Sequence, residues 1–472
     1  MFDPVIAPSG TLLGLLQRGR GDGTLHALAA PRAEALAALN HCVLNDPRHD
    51  WQVENRSLYY ARLYLDLHSS LEEIERHLFD TDDHIDTDES RTGLALAVLG
   101  HLASYGRGDA LALLRRYAAS GANWAWALDE LALRDNDAGL RALAAPVLAR
   151  FPATPEGDAE LAATVRDAFE PRPWRLWAED ARETIGARIR AAREAGSFDR
   201  WQRQMRPSGP RPGWSVQAVL DWAQEGLERG SALHVPAARC LSAVAGPDDR
   251  PAIVEAARNG SDGARCAALH YLAESRDPVV LDLIEAAVGD MSSTVAEAAV
   301  AAFERMCGEE AVDRARGWVH RPDALGASAA GVLACRGGAS DAALVLGALR
   351  ETVRADGPDA PLLWDLVDGA GRLGIACAAP VLRHVYRETA SSQLRGRAAR
   401  ALAATDTSFA TGFAVECLWD CEETTREVAA LHAETGDVRV AERLRRLAAD
   451  PAEEVEVQTA VRSRMGPDTT AM

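Results

Sequence analysis

The chain of 472 residues contains no lysine, so all 51 of its basic residues are arginine. Without lysine, the phosphate-binding loop GxxxxGK[ST] cannot occur. The nucleophile motif GxSxG and the CxxC pair are also missing from the sequence. These absences remove P-loop nucleotide hydrolysis from consideration and leave no motif that supports serine catalysis.

Long apolar runs are also lacking. No stretch approaches the roughly 20 apolar residues that a membrane-spanning helix needs. The first residues, MFDPVIAPSG, do not combine a basic segment with a sustained apolar one, as a signal peptide would. The eight cysteines stand mostly alone among apolar residues, as buried thiols do in a reducing compartment. We therefore expect a cytoplasmic protein without a membrane segment.

The charge balance is strongly acidic. Asp and Glu number 70, which gives a formal net charge of −19. Proteins that bind nucleic acid gain much of their affinity by neutralising phosphates, so this balance argues against nucleic acid as the partner. We expect a protein partner, and we predict no cofactor and no metal.

The second half of the chain repeats itself with a period of roughly 30 residues, which is typical of helical repeats. Seven successive blocks fill 232–466, beginning with HVPAARCLSAVAGPDDRPAIVEAARNGS and DGARCAALHYLAESRDPVVLDLIEAAVGD. Each block has an Ala-rich amphipathic stretch, a turn containing Asp or Pro, and a second amphipathic stretch. Asp caps the N-terminus of a helix and Pro fits its first turn. The pattern predicts paired antiparallel helices that must stack to bury their apolar faces.

This pattern resembles the HEAT-repeat family in its short bacterial form, like the repeats of phycobilisome (PBS) lyases. The resemblance covers about half of the chain. It implies an all-α, armadillo-type fold, an α–α superhelix or solenoid, interrupted here by an irregular helical insertion. Because such arrays serve many ends, the family alone does not identify a function.

Composition suggests five segments. We expect an N-terminal segment (1–30), divergent helical repeats (31–151), an Arg/Trp/Pro-rich insertion or linker (152–231), the HEAT-like array (232–466) and a C-terminal tail (467–472).

The insertion concentrates tryptophan in a chain that has few aromatic residues. Trp and Arg often anchor protein interfaces, so this segment is a candidate partner-binding surface. The candidate residues are Trp174, Trp177, Arg188, Arg190, Arg193, Trp201 and Arg203. The alternative is that Trp174, Trp177, Trp201 and Trp222 pack the insertion onto the flanking repeats.

Two enzyme families built from HEAT-like repeats provide the catalytic alternatives. Deoxyhypusine hydroxylase needs His-Glu pairs, and none of the 12 histidines here precedes a glutamate. The segment NWAWALDEL, followed later by Arg166, resembles the Trp–Asp helix of alkylpurine DNA glycosylases. That resemblance implies a site made of Trp124, Trp126, Asp129 and Arg166. The competing interpretation places both tryptophans in the core and Asp129 at the surface.

Two further groups could suggest metal ions. The loop DTDDHIDTDE is rich in carboxylates but lacks the glycine and the final glutamate of a calcium-binding EF-hand, so we interpret it as a loop that caps the helix beginning near Glu89. Cys417 and Cys421 are one helical turn apart without further ligands nearby, so we expect core packing. The leading hypothesis is therefore a non-catalytic protein-interaction scaffold, and the alternative is a DNA glycosylase acting on alkylated purines.

Overall fold

The computed structural model describes residues 5–50, 53–85, 88–204 and 213–465, with only the backbone at Glu89 and at 196–204. These residues form 28 α-helices and no strand, and 73% of them are helical. The tail 467–472 lies outside the described residues. The all-α prediction is confirmed, and neighbouring helices pack in pairs as an α-solenoid requires.

Twelve helices precede residue 205. They are α1 (Leu12–Gln17), α2 (Gly21–Ala29), α3 (Arg32–Leu44), α4 (Ser57–Asp66), α5 (Glu72–Leu78), α6 (Glu89–Ser104), α7 (Gly108–Ser120), α8 (Trp124–Arg134), α9 (Asp137–Leu148), α10 (Pro155–Asp167), α11 (Arg172–Ala178) and α12 (Glu183–Gln204).

Sixteen helices follow residue 212. They are α13 (Val216–Glu228), α14 (His234–Val244), α15 (Arg250–Asn259), α16 (Asp262–Glu274), α17 (Val280–Val288), α18 (Ser293–Arg305), α19 (Glu309–Trp318), α20 (Ala324–Arg336), α21 (Ala342–Asp356), α22 (Leu363–Arg372), α23 (Ala379–Glu388), α24 (Ser392–Thr405), α25 (Phe413–Cys417), α26 (Glu423–His432), α27 (Val438–Ala449) and α28 (Val455–Met465). Each of the seven sequence blocks contains two consecutive helices, from α14/α15 to α26/α27, as predicted.

The turns of the array contain the capping residues that the sequence predicts. The side chain of Asp323 accepts a hydrogen bond from the backbone N–H of Gly326 at 3.1 Å and begins α20. Asp437 does the same for α27, accepting from Arg439 N–H at 2.8 Å. These caps satisfy N–H groups that have no partner inside the helix.

Other turn aspartates also connect one helix pair to the next. Arg250 of α15 forms a two-pronged ion pair with Asp277, at 2.5 and 2.8 Å, while Asp277 accepts from the backbone of Val279. Arg316 of α19 and Asp341 repeat the arrangement at 2.8 and 3.0 Å. The planar guanidinium matches a carboxylate at two points, which a lysine ammonium cannot do. Arginine therefore has a geometric role in linking these repeats.

Contacts divide the chain into two compact units. Unit 1 contains residues 1–206, 386–403 and 407–472, and unit 2 contains 207–385 and 404–406. The division after residue 206 lies inside the segment 152–231, and the array 232–466 is shared between both units. The segment expected to be a separate N-terminal piece contributes α1 and α2 to unit 1, where Leu15 and Leu16 are buried.

Unit 1 brings together the two ends of the described chain. Helix α2 packs on α25, and the backbone N–H of Cys421 donates to the carbonyl of Gly19 at 2.9 Å. A side chain at Gly21 would collide with the carbonyl oxygen of Glu416 at 1.8 Å, so only glycine permits this approach. These contacts span about 400 residues of sequence.

Buried charges reinforce that junction. The guanidinium of Arg62 in α4 lies 2.6 Å from Asp450 and 2.9 Å from Glu453, and Tyr105 donates to Asp450 at 2.8 Å. Arg56 is fully buried, pairs with Glu54 and donates to the carbonyl of Ala390 at 2.8 Å. Ionic contacts thus hold N-terminal helices against C-terminal ones.

Candidate functional site: helices α8 to α12

Both sets of candidate residues from the sequence converge on one part of unit 1. Trp124, at the start of α8, packs edge-to-face on Phe151 and on Trp174 of α11, with ring centroids 5.9 and 6.4 Å apart. Trp174 in turn packs on Trp177 at 4.9 Å. The aromatic residues form one continuous cluster, and edge-to-face packing of this kind stabilises a core beyond its buried area.

Helix α11 is fixed to its neighbours by three hydrogen-bonding side chains. Trp177 donates its indole N–H to the carbonyl of Leu140 at 2.8 Å. Arg141 of α9 donates to the carbonyl of Leu176 at 3.0 Å, and Arg172 donates to carbonyls at the C-terminal end of α8. The part of the expected insertion that contains α11 is therefore integral to unit 1.

This packing corrects the partner-binding assignment for two residues. Trp174 and Trp177 are 3% and 0% exposed, so neither indole offers a surface to a partner. Trp214 and Trp222 pack on each other in unit 2, with centroids 6.0 Å apart. The predicted tryptophan cluster is thus divided between the two units. The side chains of Trp201 and Arg203 lie outside the described part of the chain.

Helix α12 is amphipathic. Ile185, Ile189 and Ala192 are buried on one side, where α12 packs on α10 and α11. Arg190 and Arg193 are exposed on the other side, and Arg190 donates to the last carbonyl of α11, that of Ala178, at 2.6 Å. The spacing of the buried residues, four and then three positions apart, leaves a full outer face for charged groups.

Arg188 differs from its two neighbours. It forms an ion pair with Asp158 of α10 at 2.7 Å and donates to the carbonyl of Pro152 at 2.7 Å. Its guanidinium is 20% exposed. Arg188 therefore joins α12 to α10, whereas Arg190 and Arg193 are exposed residues in the part of α12 whose side chains the structure describes.

The short loop between α10 and α11 exposes an aromatic residue that the sequence interpretation did not single out. Phe169 is 83% exposed, and the exposed Arg175 follows on α11. The signal in the sequence is an isolated Phe between carboxylates and prolines in an aromatic-poor chain. Large exposed aromatics next to Arg are typical of interface centres.

The carboxylate of Asp129 lies beneath this loop. Its Oδ1 accepts a hydrogen bond from the backbone N–H of Glu170 at 3.2 Å. Burial, more than the nearby Glu170, raises the pKa of Asp129 to about 6. Asp129 is half-buried rather than fully at the surface, and it fixes the loop that carries Phe169.

The other residues of the glycosylase hypothesis have structural contacts. The indole of Trp126 lies over Gly93, where a side chain would come within 2.5 Å of the ring. Arg166 forms an ion pair with the adjacent Asp167 at 2.6 Å. The structure therefore brings Trp124 and Trp126 into packing contacts and places Arg166 beside a carboxylate.

Glu130, next to Asp129, faces a different part of unit 1. It pairs with Arg134 at 2.6 Å, and a side chain at Gly100 of α6 would contact its carboxylate. Burial raises the pKa of Glu130 to about 7. Consecutive helical residues are about 100° apart, so the side chains of Asp129 and Glu130 leave α8 in different directions, although the charge of Asp129 contributes to raising the pKa of Glu130.

The acidic loop DTDDHIDTDE and the cysteines at 417 and 421, which were weighed as metal ligands, have structural roles instead. Asp88 caps α6 by accepting from Ser90 N–H at 2.9 Å, which confirms the predicted cap, and Asp83 is buried against Arg91 and Tyr117. Asp86 lies outside the described residues. Cys417 and Cys421 are buried, as expected. Across 5–50, 53–85, 88–204 and 213–465, no group of three or more His, Cys, Asp or Glu residues could hold a metal ion.

The comparisons with known proteins do not add a family. Comparison with protein-family models, with curated proteins and with solved structures finds no match. Among the helices that the structure describes, none is both long enough and apolar enough to cross a membrane.

Proposed function

We propose that the chain is a non-catalytic protein-interaction scaffold of the HEAT-like solenoid type. Its partner-binding surface is the outer side of α11 and α12, with the loop that carries Phe169. The observation that carries the proposal is the exposed Phe169 on a loop fixed by Asp129, followed on α11 and α12 by exposed guanidiniums. A protein does not gain stability from an aromatic ring in water, whereas a partner can bury it.

The proposal extends to a protein partner with acidic groups and to a cytoplasmic location. Arg175, Arg190 and Arg193 favour a partner that presents carboxylates to guanidinium donors. All eight cysteines are free thiols, which suits a reducing compartment.

The test uses two variants, Phe169→Ser and the pair Arg190→Glu with Arg193→Glu, in affinity capture from the source cells. Both should leave the melting temperature nearly unchanged, because exposed side chains contribute little to stability. Both should reduce partner capture at least tenfold. A matched control is Met291→Ser with Arg354→Glu, since Met291 and Arg354 are also exposed. Equal capture by all variants would refute the surface.

The glycosylase alternative has one observation in its favour, the half-buried Asp129 on the same helix as Trp124 and Trp126. Against it, the same carboxylate holds a backbone loop, and the net charge opposes DNA binding. We expect no release of 7-methylguanine from duplex DNA. Release that disappears in Asp129→Asn would make the enzyme hypothesis correct.

A further inference from the structure

A groove between α26 and α28 in unit 1 has a different chemical character from the α11–α12 surface. It encloses about 330 Å³ and is lined by apolar side chains of Leu431, Val455 and Ala460, with Glu427 and Glu456 at its sides. We refer to it as the α26–α28 groove.

The groove presents aliphatic side chains that the core does not need. Helices α26 and α28 bury Val428, Val457 and Val461 against their neighbours. Leu431 and Val455 belong to the same two helices but are 46% and 67% exposed, and both line the groove. One aliphatic residue on each helix therefore faces the same shallow depression.

Two carboxylates, those of Glu427 and Glu456, line the groove beside these aliphatic residues, and two more are close in sequence. Glu423 and Glu427 lie on α26, and Glu454 and Glu456 lie at the start of α28. Burial, together with like charge from Glu454, Glu422 and Glu456, raises the pKa of Glu423, and the charge of Arg426 opposes part of this shift. Within the part of the chain that the structure describes, no arginine or histidine lies within 4.0 Å of any of these four carboxylates, whereas most turn aspartates have an arginine partner.

We propose that the α26–α28 groove binds a basic amphipathic helix of a partner protein. An aliphatic pair spaced three or four residues apart on that helix would contact Leu431 and Val455. Lysine or arginine on its flanks would approach the four glutamates. The match is one of both shape and charge, and this helix-in-groove mode is common in peptide recognition.

The inference goes beyond the proposed function. The α11–α12 surface offers guanidiniums, and the α26–α28 groove offers carboxylates, so the two surfaces select partners of opposite charge. A chain with both would connect a basic partner to an acidic one, and each surface can be tested without the other.

The probe is a fluorescein-labelled synthetic peptide of 14 residues with Leu on one helical face and Lys on the other. A scrambled peptide of identical composition accompanies it. Fluorescence anisotropy with the full chain measures Kd. We expect the amphipathic peptide to bind at least tenfold more tightly than the scrambled one, and the affinity to fall as salt rises.

Two variants locate the binding. Leu431→Ser with Val455→Ser removes the apolar contacts, and Glu454→Gln with Glu456→Gln removes two charges. Each should raise Kd at least tenfold with an unchanged melting temperature, because the altered side chains are exposed. The matched control is Val438→Ser with Glu434→Gln, which changes an exposed valine and an exposed glutamate outside the groove.

Three outcomes would overturn the proposal. Equal binding of both peptides would show charge attraction without a helix site. Equal loss of affinity in the control variant would show that the whole acidic surface binds the peptide. Dimerisation of the free chain in sedimentation velocity, abolished by Leu431→Ser with Val455→Ser, would show that a second copy occupies the groove.

Discussion

The two units use the same type of ion pair in different surroundings. In unit 1, Arg395 and Asp420 are both 0% exposed, and Arg426 and Glu453 are 3% and 0% exposed. In unit 2, the arginines that link successive helix pairs remain accessible, with Arg250 54% and Arg316 40% exposed. The same two-pronged geometry is therefore fully buried in one unit, whereas in the other it joins an accessible arginine to an aspartate with little exposure.

The difference shows what each set of pairs contributes. A buried pair recovers little net stability after desolvation, but it strongly disfavours any arrangement that separates the partners. In unit 1, the pairs of Arg62 with Asp450 and Glu453 join segments that lie far apart in the sequence. In unit 2 the pairs join residues about 25 positions apart, which neighbouring repeats already bring together. In unit 1, however, Arg395–Asp420 and Arg426–Glu453 are also only 25 and 27 positions apart, so burial there extends to pairs between neighbouring repeats as well.

The largest effect is expected when one partner of a buried pair in unit 1 is removed. Arg395→Ala leaves Asp420 charged and buried, which typically costs about 3–5 kcal/mol. Chemical denaturation monitored by circular dichroism measures the free energy of unfolding. A loss below about 1 kcal/mol would mean that water reaches Asp420 and that unit 1 is not sealed at this point.

An effect of intermediate size is expected when the pH is lowered, because buried histidines then reduce the stability of the fold. In unit 2, His270 is 1% exposed and stacks on His234, with ring centroids 5.1 Å apart. Burial, His234 and Arg305 lower the pKa of His270 to about 4 from 6.5. As the pH falls from 6.5 towards 4, the unfolded state binds a proton that the folded state does not. Stability therefore falls, by about 2 kcal/mol at pH 5.

His270→Leu should remove the part of this loss that comes from His270, in unit 2 only, while burial and Arg305 also lower the pKa of the neighbouring His234. In unit 1, burial, Arg134 and Arg62 also lower the pKa of His101 to about 4, so unit 1 keeps its own acid response. Hydrogen exchange at pH 7 and pH 5 reports each unit separately. If protection of α16 and α18 falls equally in the wild-type chain and in the variant, His270 is not the acid-sensitive group.

The smallest effect is expected for a surface pair in unit 2. Arg250→Ala removes a side chain that is 54% exposed, and Asp277, whose side chain is 10% exposed, keeps its hydrogen bond from Val279 N–H. Exposed ion pairs contribute below about 1 kcal/mol, so the midpoint of denaturation should hardly move. A loss as large as that of Arg395→Ala would erase the distinction between the units.

The sequence predicts the array well because its signals are local and recur. Asp323 and Asp437 cap helices where the turn pattern places them, and the cysteines at 417 and 421 are buried as small apolar residues usually are. Each of these features depends on neighbours within one or two helices, so periodicity and capping rules are sufficient to find them.

The junction of the chain ends leaves no such signal. Arg62 stands in SLYYARLYLD and Arg395 in SSQLRGRAAR, where an arginine normally indicates a solvent-facing position. Their burial depends on carboxylates 388 and 25 residues away.

The candidate surface of α11 and α12 was predicted in part. Arg190 and Arg193 are exposed, but Trp174 and Trp177 are core residues, and Phe169 emerges only from the conformation of its loop.

A double-mutant cycle on Arg62 and Asp450 tests most directly whether buried charge joins the two ends of the chain in unit 1. The free energy of unfolding is measured for Arg62→Met, Asp450→Asn, the double variant and the wild-type chain. We predict a coupling energy of about 1–3 kcal/mol, as for contacting residues in one ionic network. Additive losses, with a coupling energy near zero, would contradict the account.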